Sequence, residues 1–526
     1  MVGISQLLDV ILAYRSLLAV LPILWAIVHL LRNKYQPSIS SIPGPPLAGF
    51  TNLWRFWDAL TRTPHDTHIA LHRQYNSPLV RVGPRSVSFS DPEWIRNVYG
   101  LTSGLTKTRF YDMFVLPYRG EYTRSLFTTL DEQYHQTYKR PIANAYSMST
   151  LVEFEPLVDS TTRLLLQRLD EFVSAGSVVD LGVWLQMYAF DVIGEVVFSR
   201  KLGFLERRED VQGIMADIRF KIAYASIVGQ IPWLDKFIAK NPLLVALTGT
   251  HPIVKFTVDN MTERLKASEE EVAKKRDFLA RSLEAQQKNP SLVQDRIVRM
   301  WNIDNVFAGS DTTAISLRAI FYYLMRTPHA MARLQKEVDE LEEKGEFGEF
   351  VSWKTASKQM PYLDAVTKEA FRMHPAVGQL LERHVPKGGM TLGNTFLPEG
   401  TIIGMNPWVA ARNRQVYGVD ADYFRPERWL EATPEQVQLM DRTSLTFGFG
   451  SRTCVGKNIS LLEVNKLVPQ LLRRYTFSFA EPEQDWKIHG GWFTEQDHFR
   501  VRLGLRTSEG GDPAAENGHV GVAMEV

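Results

Sequence analysis

The sequence predicts a mainly α-helical protein with a small β-sheet region and an N-terminal transmembrane anchor. Three observations support this fold class: long stretches with helical periodicity, few and short alternating stretches, and an apolar run near the N-terminus. The long helical stretches are Ser160–Val173, Leu181–Ser199, Val211–Val228, Pro252–Lys274 and Asp295–Met325. Because strands and helices do not alternate regularly, a parallel α/β sheet is not expected.

Composition narrows the class of protein. Of 526 residues, 44% are hydrophobic, which is enough for a large core, and 60 Lys+Arg against 59 Asp+Glu give a net charge of +1. This balance gives no indication of a nucleic-acid-binding surface. A single cysteine excludes an intramolecular disulfide and is typical of a reducing, cytosol-facing compartment.

We interpret residues 1–35 as a membrane anchor. Leu7–Leu31 is mostly apolar, although Asp9 and Arg15 interrupt it and the uncharged run after Arg15 is shorter than the roughly 20 residues of an ideal span. Tilting and snorkelling of Arg15 can compensate. Arg32 and Lys34 follow directly, which predicts that the rest of the chain is cytosolic. A cleaved signal peptide and a buried core helix are the alternatives, and the absence of a basic leading segment and of a small-residue cleavage site argues against the former.

Residues 36–50 form a predicted proline-rich hinge, with Pro43-Gly44-Pro45-Pro46 at its centre. A plain linker is compatible with the same residues. A helix is predicted from Asp66, followed by a hairpin in which Gly83-Pro84 joins two alternating stretches, 79–82 and 86–90. Strand patterns return near 391–405 and 501–505, and the Gly-, Ala- and acid-rich residues 507–526 are predicted to be a disordered tail.

The stretch Phe447–Gly456 contains the only cysteine, Cys454, just before a helical pattern. Gly448 and Gly450 allow positive φ and close approach to a flat ligand. A thiolate at a helix N-terminus is stabilised by the dipole and by free N–H groups, so a lowered pKa and a metal-binding role are expected. The alternatives are an ordinary buried cysteine and a phosphate-binding loop. The stretch lacks a third fingerprint glycine and a Gly-Lys-Ser/Thr sequence, which argues against phosphate.

Two further segments carry candidate chemistry. In Ala308–Thr313, a glycine and adjacent threonines interrupt a long helix, and the Thr312 hydroxyl is placed to bond the Ala308 carbonyl and open a groove. Together with Asp311 it is a candidate proton relay, a tightly packed kink being the alternative. Glu369 and Arg372 share a helix face in the stretch 362–373, and Arg428 is a candidate third member of a structural charge network.

These motifs, in this order, resemble the cytochrome P-450 family of haem-thiolate monooxygenases, over roughly Pro43 to Leu505. The resemblance implies a single catalytic domain, residues 51–506, that binds haem b through the Cys454 thiolate as axial ligand of the iron. It implies Asp311 and Thr312 as catalytic residues, and Glu369, Arg372 and Arg428 as structural ones. The cofactor-binding residues that it implies are Phe447, Gly456, Arg452, Arg383, His135 and Lys139. His135 and Lys139 depart from the tryptophan and arginine frequent in the family, so their individual roles are open.

The resemblance also places the substrate pocket, with a lining that suits a lipophilic substrate or, residue by residue, equally suits ordinary core packing. The predicted lining residues are Phe110, Tyr111, Met113, Phe114, Phe220, Ile231, Val306, Phe307 and Val377, with a turn near Trp492-Phe493.

The resulting functional prediction is an endoplasmic-reticulum monooxygenase that inserts one oxygen atom from O₂ into a lipophilic organic substrate. Its expected partners are a separate NADPH-cytochrome reductase, cytochrome b5, the membrane and the small-molecule substrate, and no nucleic acid. The motif wording is most similar to fungal pisatin-demethylase-like enzymes of secondary metabolism. Two alternatives remain: a haem-thiolate isomerase or dehydratase that does not use O₂, and a non-catalytic haem sensor.

Overall fold

A computed structural model describes residues 20–241, 243, 251–266 and 276–506. The described chain is mainly helical with small sheets, as predicted. Residues 20–34 are helical, and the α-helices that follow are Leu53–Thr61, Pro64–Tyr75, Ile95–Tyr99, Glu132–Lys139, Met148–Leu151, Glu155–Ser174, Leu181–Phe198, Phe204–Arg207, Ile214–Val228, Pro252–Leu265, Phe278–Lys288, Asp295–Arg326, Pro328–Glu343, Trp353–Gln359, Pro361–Met373, Pro407–Ala411, Arg414–Tyr417, Arg428–Glu431, Pro434–Thr443 and Lys457–Arg474. Short 3₁₀ helices are Pro92–Trp94, Arg109–Phe114, Ala143–Tyr146, Val152–Phe154, Val211–Gly213, Pro232–Lys236 and Gly450–Arg452.

Two helices form the centre of the fold: Leu181–Phe198, hereafter the buried helix, and Asp295–Arg326, hereafter the central helix, which packs along it. Both agree with the predicted ranges within one residue. The buried helix is long and apolar enough to cross a membrane, yet 89% of its most apolar window lies inside the protein. Because it is apolar on nearly every side and covered on nearly every side, it is a core helix.

The largest sheet has five strands, in the order Leu79–Gly83, Ser86–Phe89, Ile402–Gly404, Arg383–His384 and Thr106–Lys107. The predicted hairpin is confirmed, because its first two strands pair antiparallel with Leu79 opposite Phe89. The remaining sheets are Tyr475–Phe479 with Arg500–Leu505 and Val179–Asp180, Lys487–His489 with Glu495–Asp497, Pro117–Tyr118 with Glu121–Tyr122, and Met390–Leu392 with Thr395–Leu397.

The proline-rich hinge is packed onto the body of the protein. A Cβ added at Gly44 would lie 2.1 Å from the Arg81 carbonyl oxygen, and the Arg81 N–H donates to the Pro43 carbonyl at 2.7 Å. The buried Arg81 guanidinium donates to the carbonyl oxygens of Lys34 at 2.9 Å and Asn33 at 2.5 Å. Since the last carbonyls of a helix lack partners within it, Arg81 ties the end of helix 20–34 to the first strand of the sheet.

The helix of residues 20–34 exposes a run of large apolar side chains, among them Trp25, which is 68% exposed. The N-terminal part of the predicted anchor, residues 1–19, lies outside the described residues. The predicted tail 507–526 and the end of the predicted helix Pro252–Lys274 also lie outside them.

Candidate active site

The cysteine loop is held by its backbone. Gly448 and Gly450 adopt φ of 70° and 67°, in the region that favours glycine, and a Cβ at Gly450 would lie 2.0 Å from the Tyr99 carbonyl oxygen. The Cys454 N–H donates to the Phe447 carbonyl at 2.8 Å, which closes the loop before helix Lys457–Arg474. These contacts fix the position of the sulfur through main-chain atoms.

The Cys454 thiol faces an internal space. Its side chain is accessible from that space. The surrounding protein nevertheless desolvates the thiol, which raises its pKa, and hydrogen bonds from the Gly456 and Lys457 N–H groups offset only part of this effect. The N–H groups at the helix start lower the pKa of the thiol as expected, but desolvation exceeds their effect, so the net pKa is raised and not lowered. A metal cation bound to the sulfur would supply the positive charge that favours the thiolate.

The central helix presents an open face within the fold. Ala308 is exposed although it lies in the middle of this helix, and Thr312 is half-buried one turn later. The Thr312 hydroxyl donates to the Ala308 carbonyl at 2.8 Å, the bond expected from the sequence. A Cβ at Gly309 would lie 2.8 Å from the Ile193 side chain of the buried helix, so glycine permits the close packing of the two helices.

A hydroxyl pair joins the central helix to the helix that follows the cysteine. Thr313 and Ser460 place their Oγ atoms 2.9 Å apart. Ser460 lies in the second turn of helix Lys457–Arg474, and Thr313 directly follows Thr312. The pair brings the candidate proton-relay segment and the cysteine loop to the same part of the protein.

Asp311 points toward the buried helix. The Gln186 side-chain N–H donates to Asp311 Oδ1 at 2.6 Å, and Gln186 Oε1 accepts a hydrogen bond from the Arg318 guanidinium at 2.8 Å. Burial raises the pKa of Asp311 to about 7, with a further contribution from the negative charge of Glu495, while the Gln186 hydrogen bond lowers it. A carboxyl group that titrates near neutral pH is suited to proton transfer.

Two buried basic side chains lie opposite each other on neighbouring strands. Lys107 pairs directly with Arg383 in the antiparallel register, and both side chains are buried. Lys107 Nζ donates to the Phe127 carbonyl at 2.6 Å, and Arg383 donates to the Glu382 carbonyl at 2.8 Å. In the described part of the chain neither forms an ion pair. Burial lowers the pKa of Lys107 well below its usual range and the charge of Arg383 lowers it further, so an anionic group bound between the two side chains would stabilise the charged form of Lys107.

Three other predicted cofactor-binding residues, Arg452, Lys139 and His135, lie in the same region as this pair. Arg452 forms an ion pair with Glu132 at 2.8 Å, and Lys139 Nζ donates to the Ser451 carbonyl at 3.3 Å. His135 is buried, and burial together with the charges of Arg452, Lys139 and Lys107 lowers the pKa of His135 to about 3. His135 is therefore a neutral donor near a cationic cluster.

The predicted structural residues form one buried network around Glu369. Its carboxylate accepts from Arg372 Nη2 at 2.7 Å, from Arg428 Nε at 2.9 Å and from the Trp429 indole at 2.9 Å. The Arg425 backbone N–H adds a further bond at 2.9 Å. Burial would raise the pKa of Glu369, but the charges and hydrogen bonds of Arg372 and Arg428 exceed that effect and lower it.

The predicted pocket residues separate into two groups. Phe110, Tyr111, Met113 and Phe114 are buried, and the three aromatic rings pack against Trp492 at centroid distances of 5.3–5.6 Å. Phe307 lines a cleft beside the central helix, Val306 is fully buried, and Ile231 and Val377 are half-buried. Phe220 is 72% exposed, so the prediction that it lines the pocket is wrong: it lies on the outer face of helix Ile214–Val228.

Sequence reasoning missed Lys107 and Gln186. Lys107 lies in a two-residue strand, too short to show a period, and Gln186 lies on a helix that is mostly apolar. Neither carries a local signal, because the partner of each is distant in the chain.

The site fits a flat ligand with a metal centre and anionic edges. The Cys454 thiol and the exposed Ala308 face internal space, glycines border the loop, and Lys107 and Arg383 lack an anionic partner in the described residues. This set of donors matches haem, with a thiolate for the iron and cations for the propionates.

Comparisons with known proteins agree with this site. The family model for "Cytochrome P450" matches residues 43–499. The chain is 44% identical to the cytochrome P450 monooxygenase cicH of Emericella nidulans over 89% of this chain and 94% of that protein. It is 43% identical to a cytochrome P450 monooxygenase of Aspergillus terreus, over 87% and 94%, and 37% identical to pkfB of Emericella nidulans, over 94% and 97%.

Proposed function

Because the chain belongs to the cytochrome P450 family, we propose that it is a membrane-anchored, haem-thiolate monooxygenase that acts on a lipophilic organic substrate. One observation carries the proposal: the only cysteine exposes its sulfur inside the protein, in the part of the fold where the central helix exposes Ala308 and Thr312. When bound there, haem supplies the reductive activation of O₂ and the transfer of one oxygen atom.

The described contacts support an assignment of the residues that would hold the cofactor. Cys454 provides the axial sulfur, whose basicity the N–H groups of Gly456 and Lys457 moderate. Arg383, Lys107 and Arg452, the last oriented by Glu132, would bind the anionic groups of the cofactor. His135 and Lys139 border the same cluster as further donors. Phe447 and Gly456 shape the loop around the sulfur.

Asp311 and Thr312 handle protons. Because Thr312 donates its own proton to the Ala308 carbonyl, its Oγ1 retains lone pairs that accept a hydrogen bond and orient water in the pocket. Asp311 holds or releases a proton near neutral pH, since burial raises its pKa to about 7. Rotation of its carboxyl away from Gln186 would carry that proton toward Thr312. The Glu369, Arg372 and Arg428 network fixes the segment that leads into the cysteine loop.

An exposed apolar surface supports the membrane anchor. Beyond helix 20–34, Trp57 is 65% exposed, Phe220 72%, Trp233 61% and Phe237 67%. The helices that carry Trp57 and Phe220 contact each other. Exposed apolar surface of this kind marks an interaction surface, and a lipid bilayer is the partner that also suits the exposed, mainly apolar helix 20–34.

Alkaline carbonate extraction tests the anchor. Full-length protein should stay in the membrane pellet, and a variant that lacks residues 1–34 should be extracted in larger part. Full extraction of the full-length protein would exclude the anchor while leaving the enzymatic proposal intact.

We also propose the cellular setting. With the anchor inserted in the endoplasmic-reticulum membrane, the positive residues after it favour a cytosolic catalytic domain. There an NADPH-cytochrome reductase would supply electrons, and cytochrome b5 would be a second electron donor. The fungal relatives support a role in fungal secondary metabolism.

Isotope incorporation tests the reaction class. Membranes with the protein, reductase, NADPH and ¹⁸O₂ are incubated with a library of lipophilic compounds, after a carbon-monoxide difference spectrum has verified the thiolate. We expect one labelled oxygen atom in the product and loss of the thiolate spectrum in Cys454→Ala. Turnover without label would indicate an isomerase or dehydratase, and a proper spectrum without turnover of any compound would indicate a sensor.

A further inference from the structure

The hydroxyl group of Tyr99 lies between two segments of the largest sheet. The Leu381 N–H donates to the Met405 carbonyl at 3.1 Å, which continues the antiparallel register that pairs Arg383 with Ile403. In a regular pair of this kind the Met405 N–H donates back to the Leu381 carbonyl. Here it donates to the Tyr99 hydroxyl at 2.7 Å, and that hydroxyl donates to the Leu381 carbonyl at 2.8 Å. The hydroxyl therefore replaces one hydrogen bond of the ladder.

The phenol of Tyr99 keeps its proton and so remains a donor. Tyr99 is buried, and burial raises the pKa of its hydroxyl group, while the charge of Arg383 and the hydrogen bond from Met405 offset only part of this effect. If the hydroxyl is removed, the Met405 N–H and the Leu381 carbonyl either lose their partner or move together to bond directly. Both outcomes shift the segment that leads into Arg383, two residues after Leu381.

The aromatic ring of Tyr99 contacts the side chain of Arg383. The central carbon of the Arg383 guanidinium lies 5.1 Å from the centre of the ring, which is a cation–π contact. Lys107, opposite Arg383 on the neighbouring strand, has aromatic contacts of its own, with its Nζ 4.2 Å from the Tyr111 ring and 4.4 Å from the Phe127 ring. Each member of the buried basic pair is thus held against aromatic side chains, and for Arg383 that side chain is Tyr99.

The backbone of Tyr99 contacts the cysteine loop. Tyr99 is the last residue of helix Ile95–Tyr99, and its carbonyl oxygen lies where a Cβ at Gly450 would approach to 2.0 Å. The 3₁₀ helix Gly450–Arg452, which ends two residues before Cys454, packs against the same helix. One residue therefore contacts both the loop that holds the sulfur and the side chain of Arg383.

We propose that Tyr99 is a positioning residue for the cofactor. Its hydroxyl and ring hold the Arg383 guanidinium where it binds an anionic group of the haem, and its backbone fixes that guanidinium relative to the cysteine loop. The proposal rests on the proposed haem-thiolate function and adds a residue that acts through Arg383. A cation at the haem edge stabilises the bound carboxylates and also the electron added on reduction. Displacement of Arg383 therefore has two consequences, faster haem release and a lower reduction potential of the iron.

Tyr475 provides a matched control for the loss of a buried tyrosine hydroxyl. It is fully buried, its hydroxyl oxygen lies 3.0 Å from the Leu166 carbonyl oxygen and 2.7 Å from Asp170 Oδ1, and the Arg474 guanidinium lies 5.9 Å from its ring. It directly follows helix Lys457–Arg474, whose 18 residues separate it from the cysteine loop by about 27 Å, at about 1.5 Å per residue. The kinds of contact are the same, and the location is different.

Two measurements on the haem-loaded protein test the proposal: the rate of haem transfer to an acceptor protein, and the reduction potential of the iron from a dye-coupled titration. Neither needs turnover. The proteins are the wild type, Tyr99→Phe, Arg383→Met, the double variant of these two and the control Tyr475→Phe. Tyr99→Phe removes the hydroxyl and keeps the ring. If it does not fold, Tyr99→His, which also lacks the hydroxyl and keeps an aromatic ring, takes its place in the same comparisons with the same expected result.

Tyr99→Phe should release haem about tenfold faster than the wild type, the ratio that corresponds to the loss of roughly one hydrogen bond, and should lower the reduction potential. In the Arg383→Met background the same substitution should change the release rate less than about twofold, because the side chain through which Tyr99 acts is absent. Tyr475→Phe should match the wild type in both measurements.

Wild-type release and potential in Tyr99→Phe would overturn the proposal. An equal effect of Tyr99→Phe with and without Arg383 would also overturn it, since the tyrosine would then act through general stability, as would an equal acceleration in Tyr475→Phe. Absence of a thiolate spectrum in the wild type would instead overturn the proposed function.

Discussion

Replacement of Glu369 by glutamine should destabilise the protein strongly while changing only one atom of the side chain. The carboxylate accepts five hydrogen bonds in a fully buried position, three of them from the guanidinium groups of Arg372 and Arg428. The amide removes the negative charge and directs an N–H₂ group at existing donors. Breaking a buried ion pair in this way costs about 3–5 kcal/mol.

The matched control is Asp364→Asn on the same helix. Asp364 pairs with Lys368 at 3.0 Å, but 63% of its side chain is exposed, so its loss should cost at most about 1 kcal/mol. For a domain of this size, an unfolding entropy of about 2 cal/mol/K per residue converts the Glu369 penalty into a fall of roughly 3–5 °C in the unfolding temperature.

The assay is thermal unfolding of both variants and the wild type in the haem-loaded form. Because the folded state lowers the pKa of Glu369, its contribution is complete above the unfolded value of about 4.5 and is lost as the pH falls through the lowered folded-state value. The gap between wild type and Glu369→Gln should therefore be constant near neutral pH and narrow on strong acidification. If Glu369→Gln unfolds within a degree of Asp364→Asn at neutral pH, the network does not carry the stability assigned to it.

Three further predictions concern the chemistry. Thr312→Ala should lower the product formed per NADPH roughly tenfold or more, and Thr312→Ser should retain coupling, as measured by parallel NADPH and product assays; unchanged coupling in Thr312→Ala contradicts the relay. Gln186→Leu removes the hydrogen bond that lowers the pKa of Asp311, so the ionisation near pH 7 in the pH profile of turnover should move upward by about one unit, and an unmoved profile would separate Asp311 from catalysis. Lys107→Met should release haem to an acceptor protein about tenfold faster, the exposed Lys336→Met should not, and equal release rates would remove Lys107 from the cofactor site.

Periodicity was sufficient to predict the long elements. The buried helix and the central helix each follow from a stretch long enough for a helical pattern to stand out, and the hairpin follows from a Gly-Pro turn between alternating residues. The Thr312 to Ala308 bond was predictable because both partners lie four residues apart on one helix.

Contacts between distant segments were not predictable from pattern. Asp311 accepts a hydrogen bond from Gln186, and Lys107 lies opposite Arg383 on the neighbouring strand. Both pairs depend on how separate helices and two-residue strands pack together. The raised pKa of Cys454 has the same origin, since a sequence shows the helix start but not the burial around it. Phe220 was misplaced because family position indicates a segment and not the face of the helix.

The hydrogen bonds of Arg81 couple the orientation of helix 20–34 to that of the sheet. The fifteen residues 20–34 span about 22 Å at about 1.5 Å per residue. The Arg81 side chain binds the last carbonyl groups of this helix, and the Arg81 backbone N–H binds the Pro43 carbonyl. These bonds join the helix to the first strand of the sheet. In the proposed membrane-anchored state, a tilt of this helix would therefore turn the catalytic domain with it, so membrane thickness would influence the orientation of the domain at the bilayer surface.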